Sequence, residues 1–423
     1  MSKRSRSSAL WFILLLVSAA HFAYSAGRVA WITLGGDFLS AFPGPLALRL
    51  GQLSPALHRD WVEPALGSGP REWPYGPVLQ IATLPFALAS SQIQAMRLIL
   101  LVDYALVAAT AVMWLWLLLP QTRAFAVKVA ILCVWLNYFP LLEAVTGREI
   151  ELLELFLITA AIVALRSERE VMAGAAVGVA TMSKFLPVIF IPYLFVKGFR
   201  RAGWIAVAVA GVLALAAQPL LGWQNSVTFT IAQGETLGGE TPTSYANQAL
   251  SNVLYKMFTG FNPQNPHPPT WYPDVLRPIG IALSFAVAAA TAWFIYKWRR
   301  TRLFEVECAL LAIVMCLVAS HANNYYFVFA LPALSIGIAA MRSAAGLGGA
   351  AKFALAAAIL LLGFIVPMKA LELVTGIQGV VIARALQAWS LPAFGAILAA
   401  GLMVEVHRLT REPSAIKPAA TTR

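Results

Sequence analysis

The feature that most constrains this chain is a series of apolar runs of roughly 18 to 22 residues, repeated along the sequence. A helix needs about 20 residues to cross the hydrocarbon of a bilayer, and its backbone groups then bond to one another. The runs show no alternation with a period of two residues, which disfavours an outer-membrane barrel. We therefore predict an all-α, multi-pass integral membrane protein, with residues 1–423 forming a single domain.

Composition supports this class and excludes others. The chain is 60% hydrophobic and only 12% charged, whereas soluble proteins are about 25% charged. Its net charge of +12 comes from short basic clusters between apolar runs, as the positive-inside rule requires, so no nucleic-acid partner is expected. The three cysteines lie inside apolar runs without metal-binding spacing, and we expect no cofactor; the sequence does not determine whether the activity depends on a metal.

The basic clusters orient the chain. They predict both termini and the tail 406–423 in the cytoplasm, and about 12 crossings of the membrane. The basic clusters lie at residues 3–6, 166–169, 197–201, 297–302 and after 408. The predicted spans are 9–28, 97–118, 127–144, 150–166, 171–184, 185–197, 202–221, 276–297, 304–320, 325–341, 352–369 and 386–405.

Two long polar loops, residues 29–96 and 222–275, then face the outside. Loops of this length are uncommon unless they are functional, so the chemistry is expected on the outer face. The apolar stretch 75–90 would disturb the charge pattern if it crossed, and Pro77 and Pro85 interrupt it. We predict that it lies along the outer interface as a helix.

Residues 171–197 are long for one crossing and contain Lys184 in "MSKFLP". Two short helices meeting at Lys184 near the outer face explain this length, and a single kinked helix is the alternative. A lysine at that apex suits an anionic phosphate arriving through the membrane, although a snorkelling lysine fits the position equally well.

Asp37 follows two glycines in "LGGDFLSAF", at the mouth of the first span. Flexible glycines let a ligand or lipid headgroup approach the backbone closely. Asp37 is also a good N-cap for a helix starting at Phe38, and capping does not exclude a functional role.

A second acidic group lies in "LLEAVTGREIELLELF", at the outer ends of two predicted spans. Acids at membrane depth are costly and usually line a cavity or find a partner. Arg148 is an available partner, so part of this group fits a structural ion pair. The acids are Glu143, Glu149, Glu151 and Glu154.

Other polar side chains suit a phosphate or a hydroxyl-rich ligand. His321 opens "HANNYYFVFALP", where Tyr325 follows, and a histidine can donate to a phosphate or move a proton near neutral pH. Asn247 and Gln248 lie in an amphipathic stretch, 242–258, whose amides suit sugars and suit a plain helix surface equally well. The chain contains no Walker loop, dinucleotide-binding fingerprint or HExxH motif.

Five stretches in order resemble the bacterial polyprenol-phosphate-dependent mannosyltransferases of glycosyltransferase family 87, in the C-type superfamily of integral-membrane glycosyltransferases. They span roughly residues 30 to 335, and their order is more specific than any one of them. The stretches are "GGDF", "WPYGPVLQIATLPFAL", "AGAAVGVATMSKFLPVIFIPYLFVKGFRRAGW", "NQALSNVLYKMF" and "HANNYYFVFALP". In "TGREIELLELF" the chain departs from the family, placing Glu149 and Glu151 where neutral amides are usual.

The resemblance implies an inverting transferase on the outer face of the inner (plasma) membrane, with a C-type glycosyltransferase fold. It would use a sugar linked to a polyprenyl phosphate, mannose in this family, and a glycan or glycolipid acceptor. Asp37 corresponds to the general base, His321 to a contact of the donor phosphate, and Lys184 to a family lysine. We place the remaining candidates around the substrates: Tyr75, Arg148, Glu149, Glu151, Asn247, Gln248 and Tyr325.

The alternative from another class is a secondary transporter or lipid flippase that couples to protons through Asp37, Glu149 and Glu151. Transporters often contain an internal repeat with paired broken helices. The two halves of this chain show no convincing similarity, which favours the transferase.

Overall fold

The computed structural model describes residues 3–32, 85–86, 92–119, 124–221, 247–258, 275–319, 321–341, 347–363 and 372–411. This part of the chain is helical and contains no β-strand, as the apolar runs predict. Four of its helices are long and apolar enough to cross a membrane: Ala9–Gly27, Gln94–Leu118, Pro278–Lys297 and Leu391–Arg411. The count of about 12 crossings therefore stays a prediction.

The described part of the first half of the chain contains eight α-helices. They are α1 (Lys3–Ile32), α2 (Gln92–Val112), α3 (Phe125–Leu136), α4 (Phe139–Gly147), α5 (Glu151–Arg166), α6 (Glu170–Lys184), α7 (Phe190–Val196) and α8 (Arg200–Leu221). A π-helical turn, Met113–Leu118, extends α2, and a 3₁₀ turn, Leu186–Ile189, precedes α7.

The second half continues with seven further helices. They are α9 (Leu250–Phe258), α10 (Leu276–Lys297), α11 (Phe304–Val318), α12 (Leu331–Ala340), α13 (Gly349–Leu361), α14 (Gly379–Ala388) and α15 (Leu391–Arg411). A 3₁₀ segment, Asn324–Ala330, leads into α12.

The core lies around α11 and the segment that follows it. Helix α11, "FEVECALLAIVMCLV", is apolar on nearly all sides and is buried along almost its whole length. A helix that is apolar all round is stable in a protein core or against lipid, and the burial of α11 shows that protein elements surround it. By contrast, α10 exposes Phe285 and Trp293, as expected of a helix whose outer side faces lipid.

Small residues let α6 and α8 approach closely. Gly174 and Gly178 on α6 face Ala202 and Ala206 on α8, and a Cβ added at Gly178 would lie 2.7 Å from the Ala206 carbonyl oxygen. Small residues spaced four apart on both helices are a common way to pack membrane helices. The close packing holds α6 firmly against its neighbour.

The predicted break after Lys184 is confirmed. Phe185 has a left-handed backbone, with φ of 67° and ψ of −25°, which ends α6. Pro187 also disfavours a helical conformation at Leu186, the residue before it. The chain therefore reverses at Lys184 and returns through the 3₁₀ turn and α7.

Two predicted spans have different boundaries in the structure. The span 127–144 is wrong as one helix, because α3 and α4 are separated at Asn137 and Tyr138. The last span, predicted as 386–405, is also wrong as one helix, because α14 ends at Ala388 and α15 begins at Leu391. Helix α15 continues to Arg411, so the first residues of the predicted tail are helical. A buried contact explains this extension, since the His407 ring packs 5.0 Å from the ring of Phe294.

Four of the five basic clusters, all except residues 3–6, meet at one end of the bundle, the basic end. Arg166 pairs with Glu305 at 2.8 Å. The buried Lys197 ammonium pairs with Glu307 at 2.9 Å and donates to the Thr301 carbonyl oxygen at 2.6 Å. Clusters that the positive-inside rule assigns to one side of the membrane therefore share one end of the structure.

Most residues of the two predicted outer loops lie outside the described part of the chain. This applies to 33–84 of the first loop, and only residues 85–86 of the predicted interfacial stretch 75–90 are described. In the second loop the structure describes residues 247–258, where the amphipathic stretch forms α9.

Candidate functional site

The candidate site lies at the end of the bundle opposite the basic end. Helix α5 runs from Glu151 to Arg166, a length of about 24 Å at 1.5 Å per residue. Helix α6 returns from Glu170 to Lys184. Glu151 and Lys184 are therefore neighbours at the end far from the basic clusters.

A buried ion pair forms the centre of this site. The Lys184 Nζ lies 2.6 Å from Glu151 Oε1, and their side chains are 9% and 0% exposed. A short, buried bond between two ions is among the strong hydrogen bonds of a protein. The structure thus joins two residues that the sequence analysis placed among the candidates.

Two tyrosine rings flank the same lysine. The Lys184 Nζ lies 4.4 Å from the ring centroid of Tyr326 and 5.5 Å from that of Tyr325. Rings at these distances attract a cation through their faces. Lys184 is therefore surrounded by a carboxylate and two aromatic faces rather than by bulk solvent.

Two further acids belong to this end of the bundle, and one of them lies close to the pair. Glu154 is fully buried, and neither of its carboxylate oxygens has a hydrogen-bond partner in the structure. Glu154 interacts electrostatically with Glu151 and Lys184. Glu143, by contrast, accepts hydrogen bonds from the amides of Asn324 and Gln387.

Arg148 occupies the turn between α4 and α5. Its backbone is left-handed, with φ of 55°, and its guanidinium donates to the Thr146 carbonyl oxygen at 3.0 Å. It interacts electrostatically with Asp103, a buried acid on α2. Arg148 and Glu149 are both buried, so the turn belongs to the interior of the site.

The segment that precedes α9 is bonded to the segment that contains His321. The Asn247 side-chain oxygen accepts from the backbone N–H groups of Ala249 and Ala322, each at 3.0 Å. The Gln248 backbone N–H donates to the Ala322 carbonyl oxygen at 2.7 Å. His321, next to this clamp, has its ring 6.5 Å from that of Tyr326 in an edge-to-face arrangement.

Gln387 on α14 connects the two halves of the site. Its side chain donates to Glu143 at 3.2 Å. Its carbonyl oxygen accepts from the side chains of Gln248 at 2.9 Å and Lys256 at 3.0 Å. A continuous hydrogen-bond network therefore runs from α4 to α9 through one residue of α14.

The structure brings eight of the ten candidates to this end, at or near the network. They are Arg148, Glu149, Glu151, Lys184, Asn247, Gln248, His321 and Tyr325. The other two, Asp37 and Tyr75, lie outside the described residues. The role of Asp37 stays a prediction.

Sequence reasoning missed Asp103 and Gln387 as members of the site. Asp103 had a visible signal, since it is the only charged residue within the apolar run "LILLVDYALV" and an ionisable residue there is a functional-site candidate. Gln387 had none, because one amide near the start of a predicted span does not stand out. Its role follows only from its contacts.

The arrangement is suited to an anionic, hydroxyl-rich ligand. A lysine and a histidine supply cationic or donor groups, and amides and tyrosines supply neutral partners. Within the residues the structure describes, no group of three or more His, Cys, Asp or Glu side chains could hold a metal ion. The side chains named above supply charge stabilisation, proton transfer and hydrogen bonding.

A model of glycosyltransferase family 87 matches residues 73–320, more than half of the chain. The chain belongs to this family. It is therefore a membrane glycosyltransferase, and its substrates are a sugar donor and an acceptor. A search of curated proteins gives no match.

The family match covers most of the site but not all of it. It includes the Glu151–Lys184 pair and residues 247–256, and it ends just before His321. Asp37 precedes it, and Gln387 follows it. The contacts of Gln387 with Glu143 and Gln248 therefore tie a segment beyond the match to the matched core.

Proposed function

We propose that this glycosyltransferase moves a hexose, mannose, from a polyprenyl phosphate to a hydroxyl group of a glycan or glycolipid acceptor. The transfer inverts the anomeric carbon and takes place on the outer face of the inner (plasma) membrane. The observation that carries the proposal is the family match over residues 73–320. The polar site at the end of an apolar bundle opposite the basic end supports it.

In the proposed reaction the acceptor hydroxyl attacks the anomeric carbon while the bond from that carbon to the phosphate oxygen breaks. Asp37 takes the hydroxyl proton, and the bonding electrons leave with the lipid phosphate. A positioned general base contributes about 10²–10⁴-fold to the rate. The leaving phosphate needs charge stabilisation more than a strong acid, because its oxygens already carry negative charge.

Lys184 and His321 are the groups we assign to the donor phosphate. They lie on the same aromatic cluster, since Tyr326 contacts Lys184 on its face and His321 at 6.5 Å. Tyr75, Asn247, Gln248 and Tyr325 are assigned to the hydroxyl groups of the substrates. Arg148 and Glu149 are assigned to the part of the substrate site next to the ion pair.

A membrane location of the donor explains why the chain has no nucleotide-binding motif. A polyprenyl phosphate presents its sugar at the surface of the bilayer, where residues at the ends of membrane helices reach it. The positive-inside rule, applied to the basic clusters, favours a cytoplasmic location for the opposite end of the bundle. The proposed active site therefore faces the periplasm or the extracellular space.

The test supplies membranes containing the protein with labelled polyprenyl-phosphate mannose and measures label in glycan or glycolipid. We expect transfer from this donor and none from a nucleotide-linked mannose. Lys184→Met should reduce transfer, while Lys297→Met, at an exposed lysine of the basic end, should leave it unchanged. Movement of the lipid across the bilayer without any product would contradict the proposal and favour a flippase.

A further inference from the structure

The cation assigned to the donor phosphate already has a partner. Lys184 bonds to Glu151 at 2.6 Å, and both side chains are buried. Two buried opposite charges attract strongly, because little solvent screens them. A phosphate that reaches Lys184 therefore meets a lysine whose charge is matched by a carboxylate.

The surroundings hold more acid than base. On α5, Glu154 lies one helical turn beyond Glu151, and Glu154 makes no hydrogen bond through its carboxylate. Tyr325 interacts electrostatically with Lys184, Glu149 and Glu151. A phosphate that enters the site adds another negative group beside these carboxylates. Its affinity for Lys184 therefore depends on how tightly Glu151 holds the lysine.

We infer that Glu151 is an internal counter-ion that occupies Lys184 until the phosphate of the lipid donor displaces it. Glu151 thereby competes with the donor and sets its affinity. The inference rests on the proposed function, because it takes a polyprenyl phosphate as the ligand. It makes Glu151 a positioning residue, which acts on the substrate through Lys184.

The physical reason is the cost of separating or sharing a buried ion pair. If Lys184 moves to the phosphate, Glu151 loses its bonded cation. If Lys184 bridges both anions, the carboxylate and the phosphate repel each other. A neutral amide at position 151 removes both costs, so donor binding becomes tighter.

A purely orienting role for Glu151 predicts the opposite result. If the carboxylate only holds Lys184 in the correct place, its loss lets the lysine move and weakens phosphate binding. The direction of the change in affinity therefore distinguishes competition from orientation.

The experiment measures binding of a polyprenyl phosphate, the product of the proposed reaction, to the detergent-purified full chain. The matching polyprenol, which lacks the phosphate, is the uncharged control. We expect Glu151→Gln to bind the phosphate at least about fivefold more tightly, within the usual range of coupling between two sites. Lys184→Met should bind it less tightly, and neither variant should change polyprenol binding.

Glu154→Gln is the matched control. It removes an acid from the same face of α5 but no hydrogen bond to the Lys184 ammonium. It should change the affinity for the phosphate less than Glu151→Gln does. An equal tightening in both variants would mean that the total charge matters rather than the pair, and would overturn the inference.

Glu151→Asp keeps the test open if the Gln variant does not fold. The shorter side chain retains the charge but lengthens the bond to Lys184, so we expect a smaller tightening in the same direction. Unchanged or weaker binding in the folded variant would overturn the inference. If the wild type binds the phosphate no better than the polyprenol, both the donor class and the inference are wrong. If Lys184→Met weakens phosphate binding but Glu151→Gln does not change it, the inference is wrong and the proposed function still stands.

Discussion

At the scale of single residues, Asp37 carries the most specific prediction. Asn is nearly isosteric with Asp and caps helices as well. We therefore expect Asp37→Asn to keep the fold and to lower transfer by at least about 10²-fold, since a positioned base is lost. Asp37→Glu should lose activity partially, because the carboxylate moves by one methylene. The measurement is product formed per folded protein.

An Ala variant separates this role from helix capping. If Asp37 only caps a helix, Asp37→Asn stays active and Asp37→Ala loses about 1 kcal/mol of stability. Full activity of the Asn variant would remove Asp37 from the mechanism.

Lys256 gives a prediction about pH. It lies in the second predicted outer loop and is buried, and burial lowers its pKa from 10.5 to about 7. The unfolded chain therefore binds more protons than the folded one between these values, and stability rises with pH across that window. We expect the apparent melting temperature of the wild type to rise from about pH 7 to about pH 9 relative to that of Lys256→Met. Equal pH dependence in both proteins would contradict this.

At the scale of secondary-structure elements, the turn between α5 and α6 contains a residue with a strained backbone, and a substitution can relieve this strain. The N–H of Glu168 bonds to the Leu165 carbonyl and that of Arg169 to the Ala164 carbonyl, which is the Schellman pattern. Glu168 holds the left-handed position, with φ of 56°, where glycine is preferred. Glu168→Gly should stabilise the protein by about 1 kcal/mol.

Thermal unfolding in detergent measures this gain. The Glu168–Arg302 pair is 3.4 Å long and mostly exposed, so its loss should cost little. Glu170→Gly is the contrasting change, because it places glycine at the first residue of α6 and removes the bond from the Ala202 N–H to the Glu170 carboxylate. A lower melting temperature for Glu168→Gly would show that the turn is not strained.

The contact between α6 and α8 gives the second prediction at this scale. Gly178→Ala places a methyl group against the Ala206 carbonyl and Val209, and such overpacking costs about 1–3 kcal/mol. Gly211→Ala on α8 is the control, because a Cβ there meets nothing within 4 Å. We expect a lower melting temperature for the first variant only. Equal effects would mean that the two helices do not depend on their close approach.

At the scale of the whole molecule, the prediction concerns topology. The basic segments meet at one end of the bundle, and we expect both termini and this end in the cytoplasm. Residues 29–96 and 222–275 should then lie outside. A single cysteine at residue 240 should react with an impermeant reagent added to intact cells, and one at residue 300 should not. Protection of residue 240 would reverse the orientation.

The sequence predicts the break after Lys184 correctly because its causes are local. A long apolar stretch with a lysine and prolines in its middle cannot continue as one regular helix. The break between α3 and α4 has a local signal in Pro140, which lies in the first turn of α4, and contacts distant in sequence hold it. The Tyr138 hydroxyl donates to the Phe327 carbonyl, and the Phe139 N–H donates to the Gly363 carbonyl.

The membrane class, the helical structure, the grouping of the basic clusters and the family follow from the sequence alone. They depend on the length of apolar runs, on net charge between them and on the order of short motifs, all of which are local properties of the chain. The partners of the site residues follow only from the tertiary structure. Lys184 bonds to an acid 33 residues away, and Gln387 bonds to Glu143 over 244 residues. Such pairs depend on how helices pack, because packing brings distant residues to the same end of the bundle.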